Sequence, residues 1–294
     1  MRSTVLLLLL FLPPRAAAGD IHVTTAARSM RPGEIVLFTI TVPERTDAVR
    51  LRVFAREIAA YEVGGGVWNA IVGIDLDVVP GAYAVAIEAH GPVHTATLAH
   101  ELHVGARAFP TRQLKVDEAF VNPPAAELAR IDRDAAELAA VWRAPAAERL
   151  WSGPFIRPVP GPANSRFGTR SIFNGHARSP HSGGDFLSPA GTPVHAPNSG
   201  RVVVARNLYF SGNTVVIDHG LGLFSLLAHL AAIEVGTGDR LASGQIVGTV
   251  GATGRVTGPH LHWAVRASGA RVDPLSLLAL MGPAVDTAPP GRQR

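Results

Sequence analysis

The chain reads as mainly β: an N-terminal immunoglobulin-like β-sandwich, one linking α-helix, and a C-terminal all-β domain with no long helix. Three features carry this reading. Apolar and polar residues alternate in short runs from Asp20 to about Ala108. One stretch, residues 123–143, repeats its apolar residues at helical spacing. The remainder, to about Leu280, returns to short strands punctuated by glycine.

Taken in order, residues 1–18 have the form of a signal peptide. Arg2 gives a basic start, Val5 to Leu12 an apolar run too short to span a bilayer, and Ala16-Ala17-Ala18 small residues for cleavage. Residues 19–108 hold "IVLFTITV", "AVRLRVFA", "AYAVAIEA" and "VHTATLAHELHV", separated by "RPGE", "VGGG" and "VPGAY" turns, as a small sandwich requires. A linker over 109–152 contains the helix. Asn122 is its expected N-cap, Pro123 and Pro124 fill its first turn, and Leu128, Ile131, Ala135, Leu138 and Trp142 form a stripe that packs on one or both flanking domains. Residues 153–282 begin with a Pro-rich link, "SGPFIRPVPGPANS", and continue as strands. A Pro/Gly/Arg tail, 283–294, is expected to be disordered.

Composition narrows the chemistry. The 294 residues are 47% hydrophobic and 17% charged, as in a globular protein with at least one sizeable core. Cysteine is absent, which excludes disulfides, thiolate nucleophiles, Cys-ligated zinc and a lipid on a leader cysteine, so any metal sits on His, Asp or Glu. The formal charge is +4. Loss of Arg2 and Arg15 with the leader leaves 25 basic against 23 acidic residues, near +2, and no basic run interleaved with aromatics supports nucleic-acid binding. No later segment is apolar for long enough to predict stable membrane insertion after cleavage.

Three stretches carry residues of catalytic type. In "TGPHLHWAV", His260 and His262 lie two apart in a strand and so emerge on one face, an arrangement that suits a structural role or a metal one. In "SPHSGGDF", His181 and Asp185 flank two glycines that would let the backbone turn tightly and aim both side chains at one point. Imidazole nitrogen and carboxylate oxygen both suit zinc, and a solvated turn suits the pair equally. His229 stands at the end of the strand pattern "SLLAHLAA", where a structural role is the commoner one. "HELH" at His100 to His103 lacks the His-Glu-x-x-His spacing and fits alternating strand positions.

Together, His-x-Gly-x-Asp, Ala-His-Leu and Gly-Pro-His-Leu-His, in that order between about Gly161 and Leu280, closely resemble the catalytic domain of the lysostaphin-like zinc metallopeptidases, the peptidoglycan endopeptidases. The resemblance implies a compact antiparallel β domain with a groove over one Zn2+, held by His181, Asp185 and His262 with a fourth position open. It implies His260 as general base and His229 as donor to the oxyanion, with these two roles exchangeable. Arg170, Asn174 and His176 precede the first motif and are candidates for contacting substrate, with loop-fixing an equal alternative for Arg170 and Asn174. Leu227 stands where many relatives have Tyr, so a hydroxyl there would be missing from the oxyanion site. His219 and His195 are read as structural, and His90, His94, His100 and His103 as surface positions of the sandwich.

The function expected is that of an exported endopeptidase, periplasmic or extracellular, cutting peptide bonds in peptidoglycan cross-links or stems. The alternative is a non-catalytic wall-binding or amidase-activating regulator on the same domain. The sandwich is a candidate site for an envelope partner protein, and the Pro-rich link suggests a segment able to swing across the groove.

Overall fold

The computed structural model describes residues 21–42, 45–115, 121–163 and 167–283; the expected leader and all but Pro283 of the expected tail lie outside them. The sandwich is built from β1 (His22–Ala27), β2 (Ile35–Thr41), β3 (Ala48–Val53), β4 (Arg56–Ala59), β5 (Tyr61–Gly64), β6 (Val67–Gly73), β7 (Gly81–His90) and β8 (Thr95–Val104). They form two four-stranded sheets, ordered β1-β2-β6-β5 and β4-β3-β7-β8, the immunoglobulin order with one added edge strand. The alternation seen in the sequence is the cause. Val49, Leu51 and Val53 of β3 and Val85, Ile87 and Ala89 of β7 face Phe38, Ile40 and Val72 in one core, and the residues between them face outward.

The linker is more structured than its composition suggests. β9 (Thr111–Leu114) pairs in parallel with β10 (Arg170–Phe173), a partner more than fifty residues away that no local pattern could reveal. The helix, α1 (Ala125–Arg143), begins two residues later than expected: Pro124 is its N-cap, without a side-chain bond, so Asn122 does not cap it. Leu138, Val141 and Trp142 pack on Val204, Val216 and Phe224 of the C-terminal domain alone, while Leu128 and Ala135 remain exposed. Asp134 anchors the helix by accepting from Tyr209 N at 2.8 Å and Arg206 at 3.0 Å.

The C-terminal domain continues with β11 (His176–Ala177), β12 (Gly183–Phe186), β13 (Pro193–His195), β14 (Gly200–Leu208), β15 (Gly212–Gly220), β16 (Leu223–Ile233), β17 (Arg240–Leu241), β18 (Ile246–Val250), β19 (Leu261–Ala267) and β20 (Ala270–Val272). Its main sheet runs β12-β19-β16-β15-β14-β17. β15 is covered on both faces, Val215 and Ile217 toward the main core and Val216 toward α1. Near the end of the described residues stands a second helix, α2 (Pro274–Met281), where a strand continuation was expected. Asp273 caps it through Leu275 N, and Pro274 fills its first position.

The two domains meet in a buried contact. Ile35 and Ile71 of the sandwich belong to the same buried cluster as Trp151, Phe155 and Trp263. A Cβ on Gly73 would lie 2.6 Å from Ala270 Cβ, so only glycine admits this approach of β6 to β20. Around the contact, Arg28 bridges Glu34 and Asp273, Arg107 meets Glu34, and Arg271 grips Asp75 and Asp77. The Pro-rich link lies against the C-terminal domain, with Phe155 buried and the carbonyl of Pro158 accepting from His195 N. The described part of the link, residues 152–163, is thus packed on the domain, where a segment able to swing was expected.

Asp75 gives this interface a pH dependence. Burial pushes its carboxyl up, but bonds from the Arg271 side chain and from the backbone N–H groups of Arg271 and Asp77 outweigh burial and hold it below its ordinary value. A carboxylate with a depressed folded-state pKa stabilises the fold above its unfolded pKa, about 3.9, and that contribution is lost as pH falls through the folded value. In denaturant titrations, Asp75→Asn is expected to lower stability by roughly 1–3 kcal/mol at pH 7. The difference from wild type should narrow as the pH falls through the lowered folded-state value of Asp75. A constant difference across that range would show that Asp75 acts only through packing.

Candidate metal centre

Strand register builds the site. In the antiparallel pair of β12 and β19, Asp185 lies directly opposite His262, and on the other side of β19 His262 lies opposite Ala228 of β16. Gly183 and Gly184 are strand residues, not the tight turn expected of them. A Cβ on Gly183 would sit 2.5 Å from the carbonyl oxygen of Trp263 and 2.7 Å from both Cε1 and Nε2 of His262. The glycine is there so that the His262 ring can lie flat over β12. His181 is pinned by its own backbone, its N–H donating to Thr169 O and its carbonyl accepting from Gly168 N.

Three donor atoms converge. His181 Nε2 lies 3.0 Å from His262 Nδ1 and 3.0 Å from Asp185 Oδ1, and His262 Nδ1 lies 3.1 Å from Asp185 Oδ1. Donors at zinc distances of 2.0–2.1 Å in a tetrahedron are about 3.3 Å apart, so this near-equilateral triangle fits such an ion and its hard-to-borderline donor set suits zinc. Among the described residues it is the one group of His and Asp side chains with this geometry. Burial pushes the Asp185 carboxyl up, yet the bonds and charges of His181 and His262 prevail and hold it well below the carboxylate range. Burial lowers the His262 imidazole.

Two further imidazoles stand beside the triangle. His260 Nδ1 donates to Gly258 O at 2.9 Å, which in the neutral ring makes Nε2 the acceptor nitrogen, 3.6 Å from Asp185 Oδ1. His229 Nδ1 donates to Thr253 O at 2.9 Å, with its ring centroid 5.0 Å from that of His260 and 5.9 Å from that of His262. Burial, and next the charge of His262, push His229 down to about 3. His229 sits inside β16, not at its end. The register with β15 shifts by one residue across Ala228 and His229, and His229 has φ 65, a left-handed conformation that a side chain seldom adopts. This β-bulge turns the imidazole out of the alternation and toward the centre.

A groove of about 880 Å³ runs over these residues. Ser171, Phe173 and Arg178 line it, together with Phe210 and Arg255, and Leu138, Trp142, Leu226 and Arg266. Arg170, Asn174 and His176 are exposed and do not line it. Ser171 and Phe173 alternate with Arg170 along β10, so the expectation chose the segment but the wrong strand face. Asn174 and Gly175, with φ 49 and 86, make the two-residue turn between β10 and β11.

Leu227 is buried in the main core beside Trp263, so a longer side chain at 227 would face the core and leave the groove as it is. His219 is fully buried between Ser199 O and Ser225 Oγ and bridges them as expected of a structural residue. His195 on β13 reaches Gly244 O at 2.8 Å.

The fold and site define a β-sheet metallopeptidase domain. Residues 179–274 match the sequence profile of Peptidase family M23. A crystallised Pseudomonas aeruginosa protein described as an M23 peptidase is 31% identical, with a TM-score of 0.68, over 86% of this chain and 96% of that one. The chain belongs to peptidase family M23, a family of zinc-dependent peptidases. It is similar to the peptidoglycan DD-endopeptidase ShyA of Vibrio cholerae, 46% identical over 32% of this chain and 22% of that protein. It is also similar to the DD-carboxypeptidase/endopeptidase Mpg of Neisseria meningitidis, 40% identical over 39% of this chain and 26% of that protein. The match thus spans about a quarter of the length of these relatives.

Gly183→Ala tests the register directly. Its methyl group has no space without moving β12 from β19, and zinc affinity, measured by chelator competition, is expected to fall at least ~10-fold, a loss typical of disturbed support around metal ligands. Gly184→Ala, whose methyl would meet the Phe186 ring at 3.3 Å and Pro274 Cγ at 4.0 Å, should fall less. Equal affinities for the two variants would refute the role given to Gly183.

Proposed function

We propose that this chain is an exported zinc endopeptidase that hydrolyses peptide bonds in the cross-links or stems of peptidoglycan. The observation that carries the reading is the donor triangle of His181, Asp185 and His262 flanked by two imidazoles whose Nδ1 atoms are both committed to backbone carbonyls. His181 through Nε2, Asp185 through Oδ1 and His262 through Nδ1 would hold the ion, and three protein donors are the number found in catalytic zinc sites. Zinc in such a site polarises the scissile carbonyl and lowers the pKa of water to about 7.

The other steps fall to side chains of the chain. His260, with Nδ1–H committed to Gly258, accepts the nucleophile's proton at Nε2 and returns it to the leaving amine. Asp185, 3.6 Å away, favours the imidazolium formed in between. His229 is assigned to orienting the nucleophile as a hydrogen-bond acceptor. The tautomer selected by Thr253 places a lone pair on Nε2, so His229 donates to an oxyanion only after gaining a proton.

Peptidoglycan as substrate is supported by the printed activities of the similar Vibrio and Neisseria proteins. Export is supported by the basic start, apolar run and Ala16-Ala17-Ala18 of the first eighteen residues. Among the described residues no helix is long and apolar enough to cross a membrane.

Mass spectrometry of muropeptides digested with zinc-loaded protein tests the reading and names the bond. Wild type is expected to release new products, chelation to stop their release, and His181→Ala to lose both zinc and hydrolysis. His260→Ala should keep zinc while kcat falls by roughly 10²- to 10⁴-fold. Intact muropeptides after treatment with zinc-replete wild type would overturn the proposal.

A further inference from the structure

One threonine joins three segments around His229. β15 and β16 face each other at Asn213 and Leu230, and just beyond this pair their register shifts, with Val215 opposite Leu227. Thr253, from the loop between β18 and β19, puts its hydroxyl at the end of that bulge. Its Oγ1 accepts from Asn213 N at 2.9 Å and donates to Leu230 O at 2.8 Å, so the hydroxyl bridges the two strands at the register pair. The partners fix the direction: an amide N–H only donates and a carbonyl only accepts, so the single hydroxyl proton goes to Leu230. The carbonyl of the same threonine receives His229 Nδ1–H at 2.9 Å.

Room for this arrangement is built in. Gly212, with φ 63, stands where a Cβ would overlap the carbonyl carbon and Oγ1 of Thr253. A β-branched side chain has few χ1 states, so a hydroxyl held by two partners also fixes the backbone that carries it, carbonyl included. That carbonyl orients the His229 ring. His229 itself, with φ 65, is in a conformation that its surroundings must hold, and Leu230, whose carbonyl takes the hydroxyl proton, is the next residue in the chain. The hydroxyl thus reaches His229 by two routes, through Leu230 along β16 and through the Thr253 carbonyl to the ring.

We propose that Thr253 is a positioning residue: its hydroxyl spans the bulge, sets the place of its own carbonyl, and so aims His229 Nε2 at the nucleophile. The inference rests on the endopeptidase reading and deepens it by naming a residue outside the groove lining on which turnover depends.

Thr253→Val keeps the shape and removes the hydroxyl, whereas Thr253→Ser keeps the hydroxyl. In zinc-loaded protein, Thr253→Val is expected to lower kcat on muropeptides roughly 10- to 100-fold, as for a slightly misplaced catalytic group, with KM and zinc affinity near those of wild type. Thr253→Ser should keep kcat within about threefold of wild type. Added to His229→Ala, Thr253→Val should cost less than about twofold more, because its effect runs through His229. The imidazole N–H proton of His229 in NMR, identified by its loss in His229→Ala, reads the same positioning without turnover. It should be retained in Thr253→Ser and shifted or lost to water exchange in Thr253→Val. Thr253→Ala takes the place of Thr253→Val if the latter does not fold.

An unchanged kcat or an unchanged N–H signal in folded Thr253→Val would overturn the positioning role, as would a loss that adds in full to that of His229→Ala or one matched by loss of zinc. A hydroxyl-dependent signal with no hydrolysis by wild type would instead keep the positioning of His229 and overturn the endopeptidase reading. Hydrolysis by a wild type whose signal ignores the hydroxyl would do the reverse.

Discussion

The site depends on one pairing, β12 against β19, in a register that sets Asp185 opposite His262. A shift by one residue would send each side chain to the other face of the sheet and separate the two donors. Gly183 holds the register by letting the His262 ring occupy the space above its Cα. Trp263, alternating with His262, is buried in the main core beside Phe186 and anchors the same pairing from the opposite face. The metal centre and the hydrophobic core are thus the two faces of one strand pair.

His229 reaches the centre by a different device. A regular β16 would alternate His229 away from the face that carries His262, and the bulge at Ala228 and His229 corrects this with one extra residue and a left-handed backbone. Such a conformation persists where its surroundings fix it. Here the bond from His229 N to Ser211 O and the bond from its ring to Thr253 O fix it from both sides. Thr253 in turn donates to Leu230 O and accepts from Asn213 N, tying the loop before His260 to the bulge.

Much of this was readable from residue order, and the rest failed for identifiable reasons. Alternation in β3 and β7 gave the sandwich, because one face of each sheet is buried. The donor triad was readable because its motifs are short and specific. α2 was not, since "PLSLLALM" is apolar all round and its periodicity distinguishes neither a helix nor a buried strand. β9 was missed because its partner is remote. Arg170, Asn174 and His176 were chosen from the correct segment, but only the pairing of β10 decides that Ser171 and Phe173 face the groove. The bulge at His229 leaves no mark in the sequence at all.

The division between shared and particular features follows from where these pieces lie. The donor triangle, His229 and His260 all fall within residues 179–274, the part that matches the family profile. Phe173 and Arg178 precede it, and so does α1, whose Leu138 and Trp142 line the groove and whose Asp134 and Glu137 are held by Arg206. The sandwich stands further outside, yet its ion pairs with Arg271 and Asp273 fasten it to the strand and helix that follow β19. The three candidate metal donors and both imidazoles thus sit inside the matched segment, and Leu138, Trp142, Ser171, Phe173 and Arg178 bring part of the groove wall from outside it.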